Sequence, residues 1–105
     1  MDEALKPADF HILLVLLDGP RHGYDIMKAL ERESRGKVLL EVGTLYRVLA
    51  RLLDDGLLQD AGGDGRRRNY SLTRVWQRVV KAEAERLAGL VDRLRARKLL
   101  PHSEI

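Results

Sequence analysis

The residues in this chain best equipped for chemistry are cationic or hydroxyl-bearing, and they fall in two clusters. The first is Thr44, Tyr46, Arg47 and Arg51. Arg47 and Arg51 stand four positions apart, so a helix places them on one face. An arginine fork suits guanine O6 and N7 better than any other side chain, and Arg47 is the expected base contact. Thr44 brings a hydroxyl to the positive end of that helix, where free N–H groups attract phosphate, and Tyr46 brings a phenol to the next phosphate. The second cluster, Arg66, Arg67 and Arg68, can lie along a phosphate backbone or send one guanidinium into a narrow minor groove. Both clusters also have plainer readings. Arg47 and Arg51 can be a solvated face paired with Asp54 and Asp55, and the triplet can keep an edge hairpin soluble. Tyr24 has two open readings, a phosphate contact or a ring packed on the core with only its hydroxyl wet.

No catalytic or metal-binding set can be assembled. His11, His22 and His102 are scattered, with no HxxxH, HExxH or acidic loop beside them, and there is no cysteine. A nucleophile with a base and an orienting group is missing, as is a GxxxxGK phosphate loop. The expectation is a protein that is not an enzyme and holds no cofactor or metal. The longest apolar run, Ile12 to Leu17, is far below the roughly 20 residues of a membrane span. No charged-then-apolar leader opens the chain, so a cytoplasmic protein with no membrane partner is expected.

At 105 residues, 45% hydrophobic and 33% charged, the chain has room for one small core and none for a substrate cleft beside it. The net charge of +3 is unevenly spread. Residues 1–65 hold eight Lys/Arg against twelve Asp/Glu, whereas residues 66–98 hold eleven against three. A polyanion is the partner such a distribution suggests.

The elements that must position these groups follow from periodicity. In Gly43 to Leu58, Leu45, Val48, Leu49 and Leu52 keep the i, i+3, i+4, i+7 spacing of a core-facing stripe. The opposite side carries Thr44, Arg47, Ala50, Arg51 and Asp54, with Tyr46 on the shoulder, and Gly56 ends the helix. Upstream, Pro7 opens a helix over about Ala8 to Leu17 that is apolar nearly all round, with Phe10, Leu13, Leu14 and Leu17 as one stripe. A helix buried on two sides in so small a domain predicts a second copy of the chain. Arg21 to Gly23 reads as a connector, Tyr24 to Arg35 as a second helix with Ile26, Ala29, Leu30 and Glu33 on its face, and Gly36 as its C-cap. Lys37 to Val42 reads as an extended connector.

Downstream, Leu57 to Ala61 and Arg66 to Leu72 flank the tip Gly62-Gly63-Asp64-Gly65 as a hairpin, its second arm alternating with period two. Thr73 is the expected cap of a last helix, Arg74 to about Lys98. Val80, Ala84, Leu87, Val91 and Leu94 are spaced four, three, four, three on it, a two-heptad seam for dimerisation packed partly on helix one. Phe10 and Leu14 join that interface. Trp76 is either packing at the start of the seam or a stacking plate for a small planar effector.

His22-Gly23-Tyr24-Asp25-Ile26, then Gly43-Thr44-Leu45-Tyr46, Leu49, Leu52, Gly56-Leu57, Arg67-Arg68, Tyr70 and Leu72-Thr73 occur in an order that resembles the PadR family. The likeness spans roughly Phe10 to Leu94, and the single C-terminal helix resembles the short subfamily. That resemblance implies a winged-helix transcriptional regulator, mostly a repressor, dimeric through its last helix, with helix three in the major groove and the wing on the backbone or minor groove. Two positions depart from the pattern. Arg47 stands where the family usually has proline, so operator preference does not transfer, and Trp76 stands where it usually has glycine.

The expected fold is therefore mainly α (α+β), a winged helix-turn-helix with a two-stranded β wing over residues 1–73 and a dimerisation helix and tail over 74–105. The expected function is a homodimer on double-stranded DNA, acting on a roughly palindromic operator. The rivals are a winged helix used only for protein contact, and a regulator with an effector site at the dimer interface.

Overall fold

Pro7 supplies the first residue of helix α1 (Pro7–Val15), where its missing N–H costs nothing. The Asp9 carboxylate accepts the backbone N–H of Lys6 at 3.1 Å, which closes the first turn. The computed structural model describes residues 5–64 and 67–101. Beyond α1 these form β1 (Arg21–His22), α2 (Gly23–Glu33), α3 (Val42–Asp54), β2 (Leu58–Asp60), β3 (Asn69–Leu72) and α4 (Trp76–Ala96).

One core joins the four helices and the strands β2 and β3. Ile12, Leu13, Val15 and Leu16 meet Ile26, Ala29 and Leu30 of α2 and Leu45, Leu49 and Leu52 of α3. Leu57, Leu58, Tyr70 and Val80 close it from the sheet and α4. Each fully buried leucine or isoleucine contributes about 1.5–3 kcal/mol relative to exposure, so the three leucines of α3 hold that helix firmly in place.

Helix α1 ends earlier than its periodicity suggests. Leu16 and Leu17 donate to the carbonyls three residues back, Leu13 and Leu14, so the chain tightens out of the α-helix after Val15. The buried apolar residues are thus Ile12, Leu13, Val15 and Leu16 rather than Phe10, Leu13, Leu14 and Leu17. Phe10 and Leu14 are half-buried, and Leu17 is exposed. Arg21 donates from Nε to the Val15 carbonyl at 2.9 Å, placing a cation at the negative end of α1.

Helix α2 also stops short of Arg35, and Glu33 is exposed instead of facing inward. Its cap is a Schellman motif in which Gly36 N–H reaches Glu31 O and Arg35 N–H reaches Arg32 O. The left-handed residue after the cap is Arg35, at φ 56°, with Gly36 one place further on than expected. Helix α3 ends by the same motif with the expected glycine: Gly56, at φ 78°, donates to Leu53 O and Leu57 to Leu52 O.

The hairpin gains a third strand. Arg21 and His22, expected as a connector, pair antiparallel with Tyr70 and Asn69, so the order is β1-β3-β2 and the second arm of the hairpin lies in the middle. Two residues are too few to show a strand period, which is why this pairing is invisible locally. The arms are also shorter than expected, Leu58–Asp60 and Asn69–Leu72.

Thr73 does not cap α4. Its hydroxyl donates to Gly56 O at 2.5 Å while its N–H donates to Leu57 O, so it ties the end of β3 to the end of α3. Val75 holds the cap position of α4 without a side-chain bond. The first turns of α4 reach the core through Trp76, Val79 and Val80, and the helix packs partly on α1. The helix runs for 21 residues in all, and the molecule is 49 Å in its longest dimension.

Candidate nucleic-acid interface

Helix α3 turns Leu45, Leu49 and Leu52 inward, so its opposite face is set without choice. Arg47 and Ala50 are exposed there, and Thr44 is half-buried in the first turn. Arg47 Nη2 donates to Thr44 Oγ1 at 3.2 Å, an exposed contact that costs little to exchange for another acceptor. Arg51, expected to work beside Arg47, is held differently. Its Nη2 donates to Asp9 Oδ1 at 2.6 Å, and Asp9 is only 2% exposed. A partner of Arg51 is therefore a buried carboxylate of helix α1, while the Arg51 side chain stays 41% exposed on the same face as Arg47. Asp9 is a site residue that motif reasoning passed over. An acid three positions after the residue before Pro7, on an otherwise apolar helix, was the available signal.

Tyr46 is 37% exposed, and its ring lies on the first turn of α2. A Cβ built on Gly23 would stand 2.7 Å from Tyr46 Cζ and closer still to the hydroxyl. Tyr24 is 56% exposed, with Lys28 Nζ 5.5 Å from its ring centroid. His22 caps α2: Nδ1 accepts from Asp25 N–H at 3.4 Å, while Nε2 lies 3.3 Å from the Asp25 carboxylate.

In the wing, Arg67 is exposed, and Arg68 Nε stands 3.3 Å from Asp60 Oδ2 on the facing arm, which neutralises part of its charge. Arg66 lies outside the described residues. Gly63 is required at the tip, since it sits at φ 81° and a Cβ there would collide with the Arg67 carbonyl. Beneath the wing Tyr70 is buried, and that burial pushes its phenol above the ordinary value, with the neighbouring Tyr46 adding to the shift.

On helix four, Val80 of the seam is taken into the core, whereas Ala84 is exposed, Leu87 and Val91 are half-buried, and Leu94 is 40% exposed. Leu90 is also exposed beside them, so an apolar strip runs along α4 past the end of the core. Trp76 is half-buried against the core, the geometry of packing. A Cβ on Gly89 would meet nothing within the protomer. Glu83 accepts both arms of the Arg86 fork, and these hydrogen bonds hold its carboxyl below the ordinary range despite partial burial. A lowered value in the folded state means that the pair stabilises at neutral pH and that this contribution is lost as pH falls through the lowered value. Glu83→Gln is therefore expected to lower the melting temperature at pH 7, and the gap to the parent should begin to narrow below about pH 4.5 and vanish once the pH has fallen past the lowered value. An equal gap at pH 3 and pH 7 in thermal denaturation would assign the effect to packing.

A model of the transcriptional regulator PadR-like family matches residues 12–82, from the core of α1 through both helices of the helix-turn-helix and the wing to α4. The chain belongs to that family. Its members are winged-helix transcription regulators that bind DNA, and they are not enzymes. A transcriptional regulator from Clostridium thermocellum is similar at 26% identity, with a TM-score of 0.72 over 85% of this chain and 87% of that one. A PadR family regulator from Clostridium difficile R20291 shares the fold at 22% identity and a TM-score of 0.73, over 87% of this chain and 97% of that one. A protein of 37.1 kDa in transposon TN4556 of Streptomyces fradiae, itself uncharacterized, is 37% identical over 87 residues, 83% of this chain. The chain spans 25% of the length of that relative. Among the described residues of this PadR-family chain, no helix is long and apolar enough to cross a membrane.

Proposed function

We propose that this PadR-family chain acts as a homodimeric repressor on a roughly palindromic double-stranded DNA operator. The observation that carries the reading is the outward face of α3, where Arg47 and Thr44 stand exposed or half-exposed beside a wing that presents Arg67. In this reading α3 enters the major groove with Arg47 on a base edge, and Thr44 and Tyr46 take phosphates. Tyr24 adds a phosphate contact from α2, while Arg66, Arg67 and Arg68 follow the backbone from the wing. Arg51 contributes by fixing α3 rather than by reading bases. Dimerisation runs through Leu87, Val91 and Leu94, with Ala84 between the helices, Val80 anchoring the arm, and Phe10 and Leu14 alongside. Two-fold symmetry then spaces the half-sites by about one helical turn, near 34 Å.

The test is binding to fragments of the DNA around the gene's own promoter at several salt concentrations, with random duplex as competitor. Arg47→Ala should cost about 1–3 kcal/mol on the operator and little on random duplex. Arg67→Glu should weaken binding to both and flatten the salt dependence. If the two variants act alike on every sequence, Arg47 is not a base contact. Weak binding without salt dependence would point instead to a winged helix used for protein contact. A small planar effector at Trp76 would quench its fluorescence and release the DNA together.

A further inference from the structure

Gly43, Arg47, Ala50 and Asp54 recur at intervals of four, three and four along α3, so they form one column, and all four are exposed. Leu45, Leu49 and Leu52 opposite them are wholly buried, and the core thereby fixes which way the column points. Gly43 adds no bulk where the helix begins, and a Cβ there would meet nothing within 4 Å. Arg47 brings a fork, while Asp54 ends the helix with a charge of the same sign as phosphate. Between them Ala50 brings one methyl group and no polar side-chain atom. It stands three positions after Arg47, about 4.5 Å further along the helix axis, whereas base pairs stack about 3.4 Å apart. A methyl in that place meets the base pair beside the one that Arg47 takes. Of the groups that mark the four bases in the major groove, all are donors or acceptors except the C5-methyl of thymine. A methyl set against a donor or acceptor strips its water and returns no partner, while against thymine it gains an apolar contact.

We infer that Ala50 is a specificity-determining residue whose methyl packs on the C5-methyl of a thymine, adjacent to the base pair that Arg47 reads. This deepens the DNA-binding reading above and rests on it. Arg47 supplies the polar half of the readout and Ala50 the apolar half, on neighbouring base pairs of each half-site. Alanine is also the best helix former, which by itself would suit this position without any contact. The two roles separate by experiment, because helix stability acts on every duplex alike and a methyl contact acts at one base.

The experiment uses the full chain and the promoter duplex, with each thymine replaced in turn by deoxyuridine, which pairs as thymine does and lacks only the methyl. One thymine in each half-site is expected to be sensitive, its replacement weakening the parent about fourfold, the equivalent of one buried methyl group. Replacement in both half-sites should cost about sixteenfold, the product of two such factors. Ala50→Gly should bind the thymine and deoxyuridine duplexes equally. Ala50→Ser, which sets a hydroxyl against the base, should also show a smaller ratio than the parent. An alanine kept only for helix stability would weaken both duplexes in proportion when replaced and leave the ratio unmoved. Should Ala50→Gly not fold by circular dichroism, Ala50→Ser decides alone. The inference is overturned if no thymine methyl affects the parent. It is equally overturned if the parent's ratio is undiminished in a folded Ala50 variant, because another side chain then reads that methyl. Failure of the parent chain to bind any duplex would bring down the DNA-binding reading and this inference together, whereas a parent that binds its operator with indifference to every methyl removes only the inference.

Discussion

Gly23→Ala is expected to destabilise the domain by about 1–3 kcal/mol and to weaken operator binding with it. The sign is opposite to the usual one. Alanine in a helix normally gains about 0.5–1 kcal/mol over glycine. Here the new methyl would stand 2.7 Å from Tyr46 Cζ, so the ring must leave the first turn of α2 or push α2 and α3 apart. Either movement displaces the N-terminal half of the helix that carries Thr44 and Arg47. For a domain of about 100 residues, 1 kcal/mol lowers the melting temperature by about 4–8 °C, so thermal denaturation reads the first part and operator binding the second. Tyr46→Leu in the same chain should restore stability, since the shorter side chain vacates the space. A Gly23→Ala protein as stable as the parent would show that the ring swings away freely.

Val91→Asp is expected to leave each protomer folded and to break the proposed dimer. Val91 lies well beyond Val80, the last seam residue in the core, so the protomer's own packing does not depend on it. In a dimer it would sit between Leu87 and Leu94, and an unpaired carboxylate enclosed there costs several kcal/mol. Light scattering should then report 12.0 kDa in place of twice that mass. Operator affinity should fall by about a thousandfold or more toward the non-specific level, because one half-site alone cannot hold the protein. A variant that remains dimeric would place the interface elsewhere than on the α4 strip.

The α4 strip is local: a spacing of four, three, four, three projects one face whatever the rest of the chain does. The contact between Gly23 and Tyr46 is not local. It joins the His22-Gly23-Tyr24 motif to the Gly43-Thr44-Leu45-Tyr46 motif, two short strings that carried the family resemblance separately. Only their packing shows that the second fills the space the first leaves empty.

Sequence alone determined the period and inner face of α3, its end at Gly56, the alternation of the wing's second arm, and the concentration of positive charge after residue 65. Each of these depends on neighbours within a turn or two, where backbone geometry leaves few choices. It likewise indicated the family, because the motifs occur in order along the chain. Tertiary structure decided that Arg21 and His22 become an outer strand, that Thr73 ties the sheet to Gly56, and that Arg51 pairs with Asp9 across 42 positions. Those partners are chosen by which surfaces the core brings together. An arginine on an exposed helical face looks the same in a sequence whether it meets DNA or a buried carboxylate, and burial of Asp9 is a property of the assembled helices.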